Sequence, residues 1–193
     1  YIGITYLYFI DEISQKFFLL LLTSIPILLI SLVDDVLTLS SKIRFLVQLF
    51  SAALAIFVLG GVNSLDFIIE LNGWWVNIIV LLSILWFTNL YNFLDGIDGY
   101  AGSQAVIAGI GSYLILGNEI GLILALCALG FLFFNWPKAS IFMGDVGSAT
   151  LGFIFAIICF YDTSNGNIYV WLILLSLFWF DATTTLIRRF RNK

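Results

Sequence analysis

Uninterrupted apolar runs of helical length fill most of this chain, and they restrict its fold more than any other feature. They lie at roughly 17–33, 44–60, 75–91, 101–117, 119–136, 148–161 and 168–187. Inside hydrocarbon there is no water to satisfy backbone N–H and C=O groups, so such a run must be a helix, which satisfies them internally. Several runs fall short of the roughly 20 residues of an ideal span, and the weakest, 148–161, is expected to extend at one end. The chain is 62% hydrophobic and 10% charged, against about 45–50% and about 25% in soluble domains. The expected fold is an all-α polytopic membrane protein of about seven transmembrane helices plus a partial N-terminal one, a single integral membrane domain over 1–193. Both ends read as truncated. Tyr1 to Ile10 is apolar but too short to span and has no basic n-region, and the basic stretch from Arg188 to Lys193 stops within a loop.

Orientation follows from the few cations. With 17–33 running from outside to inside, the inner loops hold Lys42, Arg44, Lys138, Arg188, Arg189, Arg191 and Lys193, and only Lys16 is outside. That arrangement obeys the positive-inside rule. It sends Asp11, Glu12, Asp66, Glu70, Glu119 and Asp162 outward, and it gathers Asp34, Asp35, Asp95, Asp98, Asp145 and Asp181 on the cytosolic face. Residues 62–74 alternate in a β-like way and contain Asn72-Gly73, which predicts a small extracytoplasmic hairpin. Cys127 and Cys159, both within apolar runs, read as buried small hydrophobes. Trp74 and Trp75 suit an interfacial belt. The absence of histidine excludes a histidine base, ligand or phospho-intermediate within these residues.

Carboxylates at a membrane edge are costly and mark a functional site. Asp34-Asp35 closes the first full span, and adjacent acids repel unless a cation or proton is shared. The pair reads as a metal-binding or base-supplying element, or else as a solvated helix end. Lys42 and Arg44 follow, suited either to hold a phosphate or simply to satisfy the inside rule. Asn89, Asn92, Asp95 and Asp98 recur every three residues and so share roughly one helical face. Gly96, Gly99 and Gly102 follow them and let the backbone come close to a ligand. In the third loop Asp145 lies between Gly144 and Gly147, just before a helix, as an N-cap or as a metal ligand with open approach. Phe142 could stack on a base or pack on helix ends. Asp181 has two equal readings, a buried pair with a neighbouring helix or a catalytic group. Together these oxygen donors suit a hard divalent cation and a phosphorylated substrate.

Three segments in this order, Asp34-Asp35, N-x-x-D-G-x-D-G-x-A-G at 92–102 and N-x-P-x-x-x-x-F-M-G-D-V-G-S at 135–148, resemble the polyprenyl-phosphate N-acetylhexosamine-1-phosphate transferases. Lys42, Arg44, Asp181 and Arg188-Arg189 fit the same pattern, and the similarity covers essentially the whole chain. The resemblance implies transfer of a sugar-1-phosphate from a UDP-N-acetylhexosamine to a phosphorylated polyprenol, with release of UMP and a requirement for magnesium or manganese. It implies a multi-pass protein of the inner (plasma) membrane with its site facing the cytosol, no nucleic-acid partner, and a homodimer as an assembly compatible with the family. It also implies roles. Asp145 resembles the metal ligand. Asp34 resembles the group that deprotonates the lipid phosphate, with Asp35 and Asp98 as further catalytic acids. Asn92, Asp95 and Asn135 would line the donor pocket, Phe142 would stack on uracil and Lys42 would contact phosphate. The wording FMGDVGS, with FDAT at 180–183, is most similar to the O-antigen-initiating branch. Members of the family usually carry further N-terminal helices and a histidine-containing loop after the two arginines, and neither is in this sequence.

Two other classes also use acids in membranes. A transporter or channel would hold them near the bilayer midplane, often in repeated halves, whereas here they fall at one face and no repeat is visible. A non-catalytic membrane subunit would use its loops only to bind a partner. Saturable, magnesium-dependent UDP-sugar binding separates the enzyme from both.

Overall fold

The computed structural model describes residues 1–62, 64–66, 70–162 and 168–191. In chain order these form α1 (Ile2–Phe9), α2 (Gln15–Leu22), α3 (Ile25–Leu37), α4 (Ser41–Leu59), β1 (Ser64–Asp66), β2 (Glu70–Asn72), α5 (Val76–Leu94), α6 (Tyr100–Leu116), α7 (Glu119–Asn135), α8 (Gly144–Asp162), α9 (Ile168–Leu174) and α10 (Ser176–Arg191). Four stretches are long and apolar enough to cross a membrane: Gln15–Leu37, Ser41–Leu59, Val76–Leu94 and Gly144–Tyr161. Two shorter apolar helices, α6 and α7, and the bent pair α9 and α10 complete the set of seven apolar runs. The protein is an all-α polytopic membrane protein.

Local sequence accounts for the breaks. The first span opens at Ser14, whose hydroxyl accepts from the Phe17 N–H at 3.2 Å. It is interrupted between α2 and α3, where the Thr23 and Ser24 hydroxyls donate to the carbonyls of Leu20 and Leu21 at 2.6 and 2.5 Å. Pro26, in the first turn of α3, has no N–H to continue the ladder. The weak run expected at 148–161 does extend, through its N-terminal end, to Gly144. The run expected as one helix over 168–187 instead divides, with α10 bent by 65° from α9. Its first half is wholly apolar, whereas its second half mixes Asp181, three threonines and the arginines with exposed Trp179, Phe180 and Phe190.

The hairpin expected over 62–74 forms by antiparallel pairing of Leu65 with Leu71, flanked by Ser64–Asn72 and Asp66–Glu70. Asn72-Gly73 is not its turn. It follows β2, and Gly73 takes φ 111° on the way into α5. Cys127 and Cys159 form no disulfide, but Cys127 is exposed rather than buried. On a membrane helix the outer face is as apolar as the core, so an apolar run does not tell the two apart.

The bundle is organised around α8, the span most enclosed by its neighbours, which packs on α5 and α3. A Cβ placed on Gly152 of α8 would lie 2.6 Å from the Tyr91 Cβ and 3.2 Å from the Phe87 carbonyl oxygen. Only a glycine allows α5 and α8 to come this close. Around the contact the rings of Tyr91 and Tyr100 stack on Phe178 at 4.6 and 5.1 Å, which ties α10 to the central pair. The α6–α7 hairpin uses the same device, since a Cβ on Gly109 would run into the Gly121 carbonyl. Up-and-down packing brings the C-terminal ends of α3, α5 and α7 to the N-terminal ends of α4, α6 and α8. The side-chain bonds described next join these ends.

Candidate active site

Asp34 is held where α3 ends. Thr38 adopts the left-handed conformation (φ 46°), and its N–H returns to the Asp34 carbonyl at 2.8 Å. The Leu39 N–H donates to Asp34 Oδ1 at 2.6 Å. The other carboxylate oxygen, Oδ2, therefore points at α4, where Arg44 Nη1 meets it at 3.0 Å. The same Nη1 donates to Asp145 Oδ2 at 2.6 Å. One guanidinium nitrogen thus joins the first and third acidic segments, 101 residues apart for the second contact.

Asp35 is exposed, and its Oδ2 lies beside Gly144, 3.5 Å from where a Cβ would stand. Gly144 opens α8 with φ 63°, a conformation that an L side chain rarely adopts. Among the described residues Asp35 takes part in no hydrogen bond or ion pair, so of the two neighbours Asp34 is the anchored acid and Asp35 the uncommitted one.

The second segment contributes from the end of α5. Ser148, one turn into α8, donates to the Asn92 side-chain oxygen and also to the Gly144 carbonyl at 2.9 Å. Asp95 follows as the C-cap of α5 and is partly buried. Burial first, and the negative charge of Asp145 second, push its carboxyl up to about 6. A half-buried acid facing another acid lacks a countercharge, and that is what a divalent cation would supply.

The three-residue register does not keep all four polar residues on one face. Asn89 and Asn92 lie on α5, where Asn89 donates to Gln48 Oε1 of α4 at 2.8 Å and Asn92 meets α8. The helix ends at Leu94, and Gly99 (φ 74°) starts α6, so Asp95 and Asp98 lie in the connection. A step of three residues also rotates backwards by about 60° on a 3.6-residue helix.

Asp98 turns to the third loop. Its Oδ2 accepts the N–H groups of Lys138 and Ala139 at 3.2 and 3.1 Å. Asn135 locks the same junction, accepting from the Gly99 N–H and donating to the Ile141 carbonyl, both at 2.9 Å. Asp98 and Asn135 therefore shape the loop that carries Phe142, which is 73% exposed. Lys42 is exposed and forms no ion pair among the described residues. Asp181 is exposed, not a buried pair; it lines a cavity of about 510 Å³ with Trp86, Asn89, Phe93 and Arg189.

Arg44 is the residue that sequence reasoning undervalued, since of the two cations only Lys42 was given a role there, the contact to phosphate. Ser148 and Gln48 were likewise passed over. The wording G-D-V-G-S was a usable signal for Ser148; nothing local marks Gln48.

Among the described residues no three acids, cysteines or histidines are gathered into a ready-made metal cage. Magnesium is commonly held by one or two carboxylates, with phosphates and waters completing its octahedron. Asp145, whose side chain is 31% exposed, with the half-buried Asp95 near it, fits that kind of site.

Residues 17–162 match the family model described as glycosyl transferase family 4. The chain belongs to glycosyl transferase family 4. Among curated relatives, it is 33% identical over 187 residues to a "Probable undecaprenyl-phosphate N-acetylglucosaminyl 1-phosphate transferase" of Bacillus subtilis, covering 86% of this chain and 51% of that protein. It is 32% identical over 169 residues to the phospho-N-acetylmuramoyl-pentapeptide-transferase of Staphylococcus carnosus (74% and 52%). It is 36% identical over 176 residues to the protein of that name in Staphylococcus saprophyticus (78% and 54%). This family member spans about half the length of the curated relatives it matches.

Proposed function

We propose that this chain is the catalytic membrane portion of a transferase that moves N-acetylhexosamine-1-phosphate from a UDP-sugar to polyprenyl phosphate and releases UMP. The observation that carries the reading is the meeting of three acidic segments, through Arg44 and Ser148, at one end of a membrane bundle. Family membership and the names of the relatives support it. The same end holds Lys42, Arg44 and Lys138, and Arg189 lines a cavity with Phe93 and Leu94 beside Asp95. The positive-inside rule therefore favours a cytosolic orientation in the plasma membrane, where UDP-sugars are found.

In the reaction, an oxygen of the lipid phosphate attacks the sugar-bearing phosphorus of the donor, the bond to the UMP phosphate breaks, and a polyprenyl diphosphate sugar forms. One carboxylate of the Asp34-Asp35 pair takes the proton of the lipid phosphate. Asp34 is fixed by Leu39 and Arg44, which leaves Asp35 as the free carboxylate of the pair. Bound magnesium, held by Asp145, would offset the repulsion of two anions and the charge that develops between the phosphates. Asn92 and Asp95 line the donor side. Asp98 and Asn135 set the loop from which Phe142 stacks on uracil, and Lys42 attracts phosphate at the entrance.

The acceptor's tail has a path. Trp86 lines both the cavity near Arg189 and a second, almost wholly apolar one of similar volume, lined also by Phe87, Trp171 and Trp179. The wording FMGDVGS supports the O-antigen-initiating branch, while the curated relatives named above carry the names of two kinds of enzyme at comparable identity. The test uses the full-length protein with polyprenyl phosphate, magnesium or EDTA, and UDP-GlcNAc or UDP-MurNAc-pentapeptide. Magnesium-dependent lipid-linked product and UMP are expected with one donor. No product with any UDP-sugar would refute the reading.

A further inference from the structure

Arg44 sits where two carboxylates from distant segments converge. A single nitrogen serves both, at 2.6 Å from Asp145 Oδ2 and 3.0 Å from Asp34 Oδ2. We infer that Arg44 is an internal stand-in for the divalent cation: it holds Asp145 when no metal is bound and must leave Asp145 for the metal to enter. This inference rests on the function proposed above.

Geometry and charge carry it. Without a cation between them the two acids would repel, and the guanidinium supplies that cation from within the chain. It does not lose its proton in a protein, so it cannot make way by becoming neutral; the metal has to displace it. The displacement is feasible because the Arg44 and Asp145 side chains are 34% and 31% exposed, whereas Asp34 is only 12% exposed. The better buried pair, to Asp34, is the one that can persist. Arg44 would then keep its place on α4 while the Nη1 N–H it had given to Asp145 becomes free for a phosphate oxygen, an acceptor that guanidinium suits. Metal entry and the exposure of an anion-binding group become one event. Lys42, two residues away and without an ion pair among the described residues, cannot act in this manner.

The inference is tested by titrating the purified full-length protein with Mn²⁺ alone, with no substrate, and following free metal by electron paramagnetic resonance. Arg44→Gln is expected to bind Mn²⁺ about fivefold more tightly than the parent, the size expected for a partly exposed ion pair. Arg44→Lys, which keeps a cation there, should gain less, and Lys42→Gln should not gain. A variant that merely misfolds cannot gain affinity, so the readout separates competition from damage. Unchanged or weaker binding by Arg44→Gln, with clear binding by the parent, would overturn the stand-in role and leave the proposed function intact. Absence of Mn²⁺ binding in the parent would overturn both the stand-in role and the metal on which the proposed reaction depends.

Discussion

Gly152→Ala tests how far helix packing sets the chemistry. The added Cβ would stand 2.6 Å from the Tyr91 Cβ, with the Phe87 oxygen and the Thr88 Cα each at 3.2 Å. Carbon atoms in favourable contact stay about 3.5–4.0 Å apart, so the deficit is roughly 1 Å. None of these neighbours can rotate away: two are backbone atoms, and the third is fixed by its backbone. α5 and α8 must separate instead, at a cost of about 1–3 kcal/mol. For a chain of this size that corresponds to a fall of roughly 2–4 °C in Tm per kcal/mol. The site lies directly along the same interface. Asn92 follows Tyr91, Ser148 is one turn before Gly152, and their hydrogen bond joins the two helices just short of Asp145. A shift of about 1 Å there should lower kcat by about 100-fold. Thermal unfolding in detergent and sugar-phosphate transfer, both on the full-length protein, check the two parts. Gly130→Ala is the control, because nothing lies within 4 Å of its Cβ position. A Gly152→Ala protein with an unshifted Tm and a rate within about twofold of the parent would refute the view that this contact positions the site.

Asp145→Asn should abolish magnesium-dependent transfer, by about 100-fold or more, while the Tm stays close to the parent's; near-normal turnover would remove Asp145 as the metal ligand. Phe142→Ala should raise the donor KM by about 10-fold with little change in kcat, the scale of one base–aromatic stack, measured by varying UDP-sugar at saturating acceptor. Asp98→Ala removes the acceptor for two backbone N–H groups, so amide exchange at Lys138 and Ala139 should speed up by at least about 10-fold; protection equal to the parent's would deny Asp98 its hold on the third loop.

The helices were legible because hydrocarbon leaves an apolar run no other regular choice. Positions where that reasoning failed have a shared cause. It identifies apolar residues but does not say whether they face lipid or protein, which is why Cys127 was expected inside. Nor does it see a bend that depends on side chains, which is why α9 and α10 were expected as one helix. The hairpin was found from alternation, yet its turn was misplaced, because Asn-Gly serves equally well to lead into a helix.

The acidic segments of the site were legible for a different reason, the cost of charge at a membrane edge. The wiring between them was not. Arg44 bonds across 101 residues to Asp145, Asp98 across 40 to Lys138, and Ser148 across 56 to Asn92. No spacing rule reaches that far. Glycines decide whether these bonds can form: Gly152 lets α5 approach α8, and Gly144 and Gly99 take positive φ where the acidic loops turn back into helices. Sequence reading assigned Gly99 to ligand approach and Gly144 to unobstructed access for a metal. The structure gives both a task that comes before ligand binding, turning acidic loops back into helices, so that Arg44 can join Asp34 to Asp145 and Ser148 can join Asn92 to the same end of the bundle.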